Sequence, residues 1–110
     1  GSGAPRRELL HVDDLASACL HLLEHFDGPT HVNVGTGIDH TISEIAEMVA
    51  TAVGYTGETH WDRTKPDGTP QKLLDVSALR EVGWTAKLPL REGIVATVAW
   101  YRANADTARQ

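Results

Sequence analysis

The sequence predicts an α/β domain, on three observations. Short apolar stretches of strand length alternate with segments of helical periodicity in the order strand–helix–strand–helix–strand–loop–helix–helix. Helix start and stop signals bracket the periodic segments. A loop carrying two prolines and a glycine separates the two halves.

The elements follow in order. Arg7 to Val12 reads as a short strand, entered from a flexible Gly1–Pro5 opening. Asp13 and Asp14 offer an N-cap and favourable negative charge to a helix that runs to about Phe26, where Asp27-Gly28-Pro29 stops it. Its apolar stripe is Leu15, Cys19, Leu22, Leu23 and Phe26. Thr30 to Val34 alternates as a second strand, and Gly35-Thr36-Gly37 turns the chain. Thr41 and Glu44 form a capping box for a helix with Ile42, Ile45, Ala46, Val49 and Val53 at helical spacing, closed by Gly54. Gly57 to Asp62 reads as a third strand. Arg63 to Lys72 is an irregular loop, Asp75 caps a short helix through Val82, and a last helix spans about Leu90 to Ala105 with Leu90, Ile94, Val98 and Tyr101 on one face. About four helices on a small sheet with open edges are therefore expected, with strand edges and helix faces left for a partner domain.

At 110 residues, 41% hydrophobic and 23% charged, the chain has the make-up of one globular domain with a modest core, not of a disordered tail. Its apolar runs are too short for a membrane span, and no leader is expected. A single cysteine, Cys19, excludes a disulfide framework and a Cys-based zinc site, and suits a reducing cytoplasm. Fifteen acidic against ten basic residues, a net charge of −5, argues against a nucleic-acid binder. The basic residues cluster at Arg6-Arg7 and at Arg63, Lys65 and Lys72, a pattern that suits one small anion.

Several motifs read as structural. His21-Leu22-Leu23-Glu24-His25 matches an inverted zinc-hydrolase pattern, but the helical arc places these histidines opposite the leucines, facing water, and nothing nominates a third ligand. Gly35-Thr36-Gly37 lacks the third glycine of a dinucleotide fingerprint, since His40 stands there, so it reads as a tight turn. Cys19 reads as a core residue, and Asp13 and Asp14 as capping residues rather than an acid/base pair. The segment Lys65-Pro-Asp-Gly-Thr-Pro-Gln-Lys72 is more informative. Prolines hold it open, the lysines suit phosphate oxygens, Asp67 can accept from sugar hydroxyls, and Arg7 can add a forked contact to a diphosphate. The same segment reads equally well as a surface turn.

The stretch from Gly1 through Arg6-Arg7-Glu8-Leu9-Leu10-His11-Val12-Asp13-Asp14 resembles the substrate-domain opening of the GDP-L-fucose synthases, extended short-chain dehydrogenase/reductases acting on nucleotide sugars. The likeness continues through His31-Val32-Asn33-Val34-Gly35-Thr36-Gly37, Lys65-Pro66-Asp67-Gly68-Thr69-Pro70, Lys72-Leu73-Leu74-Asp75 and Gly83-Trp84. Leu10 and Gln71 depart from the family pattern. The resemblance implies a C-terminal substrate-binding part, residues 1–110, of a Rossmann-type enzyme that converts GDP-4-keto-6-deoxy-D-mannose to GDP-L-fucose with NADPH. It implies that Arg7 contacts the substrate diphosphate, Asp67 binds substrate and Lys72 lies near the nucleotide. It places the NADPH site and the catalytic residues in a Rossmann domain absent here, because neither Tyr55 nor Tyr101 has a lysine four residues on. No catalytic or metal residue is then expected in this chain, which alone should be inactive and prone to self-association, the intact enzyme being a cytoplasmic homo-oligomer. Two alternatives are the equivalent part of an epimerase or dehydratase acting on UDP- or dTDP-sugars, and a non-enzymatic binding module.

Overall fold

The structure, a computed structural model, describes residues 1–108. Its strands lie where two prolines end irregular chain: β1 (Arg6–Arg7) starts after Pro5, and β3 (Gln71–Lys72) starts after Pro70. With β2 (His40–Thr41) they make a three-stranded sheet in the order β2-β1-β3. β1 runs antiparallel to β2, pairing Arg6 with Thr41 and Arg7 with His40. It runs parallel to β3, pairing Arg6 with Gln71 and Arg7 with Lys72. Each strand is two residues long, and in β1 and β3 the preceding proline supplies no N–H to extend the ladder at that end.

This corrects the expected strands. Residues 8–11 continue as irregular chain into the first helix, which already includes Val12, and neither 30–34 nor 57–62 is a strand. Val32 and Val34 do pack against the core, so their alternation reports side-chain burial correctly. A strand also needs a neighbouring backbone, and no described residue supplies one to that segment.

The helices are α1 (Val12–His25), α2 (Ile42–Val53), α3 (Ser77–Glu81) and α4 (Leu90–Asn104). In α2 the capping box is complete: Glu44 N donates to Thr41 Oγ1 at 3.0 Å, and Thr41 N donates to Glu44 Oε2 at 2.7 Å. Gly54 ends that helix with φ +78°, the left-handed conformation that favours glycine. The apolar sides of α2 and α4 face each other across an open hollow of about 650 Å³, lined in part by Val49, Val53, Ile94, Val98 and Tyr101.

α1 presents a different side than its sequence pattern suggests. Asp14 and Ala18 are buried and Leu22 packs on the core, whereas Leu15 and Leu23 are 44% and 81% exposed and Cys19 is exposed. The reason is what lies beside it: residues 82–88 offer polar groups that α1 must satisfy. Asp14 Oδ2 accepts from Lys87 N and Leu88 N at 3.1 and 2.9 Å, Ser17 Oγ accepts from Trp84 Nε1 at 3.1 Å, and a His21 ring nitrogen meets Val82 O at 2.6 Å. Asp14 is therefore an anchor for the entry to α4, not a cap. The N-cap is His11, whose Nδ1 accepts from Asp13 N at 3.1 Å.

The core is small: Ala18, Val76, Leu79 and Trp84, ringed by half-buried Leu10, Leu22, Val32, Val34, Val82 and Ala86. The surface area is 8001 Å², against about 6,000 Å² for a closed protein of this mass. The radius of gyration is 16.5 Å, against about 13 Å for a compact domain of this length. No helix among the described residues is long and apolar enough to cross a membrane.

Candidate functional site

The parallel pairing of β1 and β3 makes Arg7 and Lys72, 65 positions apart in sequence, direct neighbours. Residues paired across two strands share a face of the sheet, and consecutive residues alternate. One face thus carries the row His40, Arg7, Lys72, and the other carries Thr41, Arg6, Gln71. The sequence grouping of Arg6 with Arg7 is thereby split. Arg6 Nε donates to Asp39 Oδ1 at 2.9 Å and its Nη2 to Asp39 O at 3.2 Å, so its charge is already matched. Arg7 makes no ion pair among the described residues; its Nη1 donates to Arg6 O at 2.7 Å. Its guanidinium reaches towards the proline loop, with Nη2 4.0 Å from the point where a Cβ at Gly68 would stand. Gly68 has φ +75°, so a side chain there would be both strained and turned towards the arginine. Lys72, Lys65 and Arg63 are exposed.

Asp67 adjoins Gly68, and Ser2 holds its carboxylate. The Ser2 N–H donates to Oδ1, and the Ser2 hydroxyl donates to Oδ2 at 2.7 Å. The N–H bond first, then the hydroxyl bond, hold the Asp67 carboxyl below the ordinary carboxylate range, so it is ionised at neutral pH. The opening residues make the loop's footing: Gly1 N donates to Asp62 O, and Gly3, with φ +81°, lies against the Trp61 ring, 2.8 Å from where its Cβ would be. Asp62 in turn accepts from the Thr64 hydroxyl and from Thr64 N, bonds that lower its pKa.

The structure thus brings Arg7, Lys72 and the Asp67–Gly68 turn to one edge, as an open cationic strip beside one fixed carboxylate. Such a strip can neutralise and orient a small dianion. Sequence reasoning missed Asp39, Ser2 and Glu8, which build the strip without belonging to it. The Pro5 and Pro70 positions, each one residue before a strand, were the available signal.

The remaining motifs settle into structural roles. His21 does not face water: it bonds Val82 O, and its ring stands 4.3 Å from that of His25. Among the described residues, no group of three His, Cys, Asp or Glu side chains could hold a metal ion. Cys19 is exposed rather than a core residue. The Gly35-Thr36-Gly37 turn wraps an internal carboxylate. Glu8 Oε2 accepts from Gly37 N at 2.6 Å and from the Thr36 hydroxyl at 3.4 Å, and a Cβ at Gly35 would stand 2.7 Å from both carboxylate oxygens. A dinucleotide pyrophosphate does not fit where that carboxylate already sits. The ring Nδ1 of His40 is the one buried side-chain nitrogen or oxygen without a hydrogen-bond partner among the described residues.

The model of the NAD dependent epimerase/dehydratase family matches residues 1–35. The chain is 52% identical over 110 residues to probable GDP-L-fucose synthase 1 of Oryza sativa subsp. japonica, covering 100% of this chain and 34% of that protein. Among solved structures, a GDP-L-fucose synthetase from Naegleria fowleri superposes with a TM-score of 0.92 at 26% identity, covering 100% of this chain and 35% of that one. A GDP-D-glycero-L-gluco-heptose synthase from Campylobacter jejuni, solved in the presence of NADPH, superposes with a TM-score of 0.82 at 36% identity, covering 93% of this chain and 32% of that one. The chain spans about a third of the length of these relatives. Over its whole length the chain is thus similar, in sequence and in its small α/β architecture, to about a third of a GDP-L-fucose synthase, and its first 35 residues match the NAD dependent epimerase/dehydratase family.

Proposed function

We propose that residues 1–110 are the C-terminal substrate-binding part of a longer NADP-dependent epimerase/reductase that makes GDP-L-fucose from GDP-4-keto-6-deoxy-D-mannose. The observation that carries the reading is the register of Arg7 with Lys72 beside the Asp67–Gly68 turn. In this reading the guanidinium takes diphosphate oxygens in a forked contact and the ammonium adds a second charge. Asp67, kept ionised by Ser2, uses its remaining lone pairs to orient the nucleoside through its ribose hydroxyls. Binding energy from the nucleotide then places the sugar ring, away from this strip, against reactive groups outside the chain.

NADPH supplies the hydride for the reduction. The Glu8-filled turn offers it no cradle, so this reading assigns the cofactor and the catalytic residues to a Rossmann domain of the same polypeptide beyond residues 1–110. The C. jejuni relative was solved in the presence of NADPH, which supports NADPH as the cofactor. A cytoplasmic homo-oligomer completes the reading: one exposed cysteine suits a reducing compartment, and Leu15, Leu20 and Leu23 give α1 an apolar outer face for association.

Calorimetric titration of the full-length protein with GDP, UDP and dTDP tests the substrate class. GDP binding tightest is the expected result, and a preference for UDP or dTDP overturns the fucose reading. The 110-residue chain alone, given NADPH and the keto sugar, should not oxidise NADPH above a blank.

A further inference from the structure

Strands of two residues have almost no ladder to fix their register. The spacing of Arg7 and Lys72 must therefore be set by something else. Two carboxylates are placed to do it. One residue before the pair on each strand, Asp39 bridges Arg6 of β1 and Gln71 of β3: Oδ1 accepts from Arg6 Nε at 2.9 Å, and Oδ2 accepts from the Gln71 side-chain amide. One residue after Arg7, Glu8 bridges the strand exits: Oε1 accepts from Leu74 N at 3.3 Å, two residues beyond Lys72, while Oε2 accepts from Gly37 N at 2.6 Å. Alternation puts Arg6 and Gln71, the two partners of Asp39, on the face opposite Arg7 and Lys72. Asp39 thus works from behind the sheet, where it does not confront an anion bound in front, while Glu8 is occupied by the Leu74 and Gly37 amides just past the strands.

We propose that Asp39 and Glu8 are positioning residues that fix the Arg7–Lys72 spacing to suit a diphosphate, Asp39 acting through Arg6 and Gln71, and Glu8 through the Leu74 and Gly37 amides. The inference rests on the reading of Arg7 and Lys72 as diphosphate ligands. Its support is the geometry: the Asp39 side chain is only 10% exposed and each of its oxygens serves a different strand. Bonds from Gln71, then Arg6, also hold the Asp39 carboxyl below its ordinary range, so it stays charged in its bridging role. Gln71, a departure from the family pattern, is accounted for as the amide half of this clip.

The sign of the effect separates positioning from simple electrostatics. Removing a negative charge near a cationic strip strengthens anion binding by Coulomb attraction alone. Losing the clip weakens it. The test is calorimetric GDP titration of the full-length protein and its Asp39→Asn, Asp39→Asn/Gln71→Glu, Glu8→Gln and Arg7→Ala variants. Asp39→Asn should bind GDP about tenfold more weakly. The double variant exchanges carboxylate and amide across the same bridge and should recover most of the loss, which a general loss of stability would not do. Glu8→Gln should weaken GDP in the same direction, and carries the test if Asp39→Asn fails to fold. Loss in Arg7→Ala with parental or tighter binding in the carboxylate variants overturns the clip and leaves the diphosphate reading standing. Parental binding in Arg7→Ala overturns both.

Discussion

Ala18, Val76, Leu79 and Trp84 are at most 5% exposed, and the one polar side-chain group among them, Trp84 Nε1, donates to Ser17 of α1. Around Arg7 there is no comparable burial: Gln71 and Lys72 are exposed, and carboxylates bridge strands too short to hold themselves. The first region is assembled by removing apolar surface from water, the second by hydrogen bonds and ion pairs. The difference teaches that substitutions in one region should change stability with little effect on anion affinity, and that substitutions in the other should do the reverse.

The largest expected effect breaks the buried region. Leu79→Ala removes a side chain that is 1% exposed and should cost about 2–5 kcal/mol in chemical denaturation, with GDP affinity of the folded protein unchanged. Asp14→Ala comes next. Asp14 is 5% exposed, and its loss strands two backbone donors, at Lys87 and Leu88, for about 1–3 kcal/mol. Thr41→Ala should cost about 1 kcal/mol by opening the α2 capping box, again read by denaturant melts.

The smallest effect sharpens the polar side of the comparison. Asp39, Asp62, Asp67 and Asp75 all have pKa values lowered from 3.8 by hydrogen bonds, chiefly from Gln71, Thr64, Ser2 and Ser77 respectively. A carboxyl with a lower pKa folded than unfolded stabilises the fold fully above the unfolded value and loses that contribution as pH falls through the folded one. Melting temperature should therefore decline on acidification below about pH 4, and Asp67→Asn should flatten the decline. A melting temperature constant down to about pH 2 would contradict the assigned hydrogen bonds.

What could be read in the sequence follows the same division. α2 and α4 were legible because caps and periodicity are local: Thr41, Glu44 and Gly54 bound α2, and α4 ends within a residue of its expected limit. The extent of α1 was legible, but its buried side was not. Leu15 and Leu23 outweigh Ala18 in hydrophobicity, yet Ala18 is the residue at 0% exposure, because the neighbouring 82–88 segment presents donors and acceptors that Asp14, Ser17 and His21 satisfy. The strands were misplaced because apolar alternation at Val32 and Val34 marks a face, not a backbone partner. At the site, Arg7, Asp67 and Lys72 were nominated by residue chemistry and by family likeness. Their meeting depends on a parallel pairing that no local pattern encodes.

The most direct test of the central claim is a double-mutant cycle at positions 7 and 72 of the full-length protein, read by GDP calorimetry. If both side chains hold one diphosphate, Arg7→Ala should weaken binding by about 10- to 100-fold, Lys72→Ala by less, and the double variant by less than the product of the two. Unchanged GDP affinity in both single variants, or two losses that simply multiply, would contradict the account.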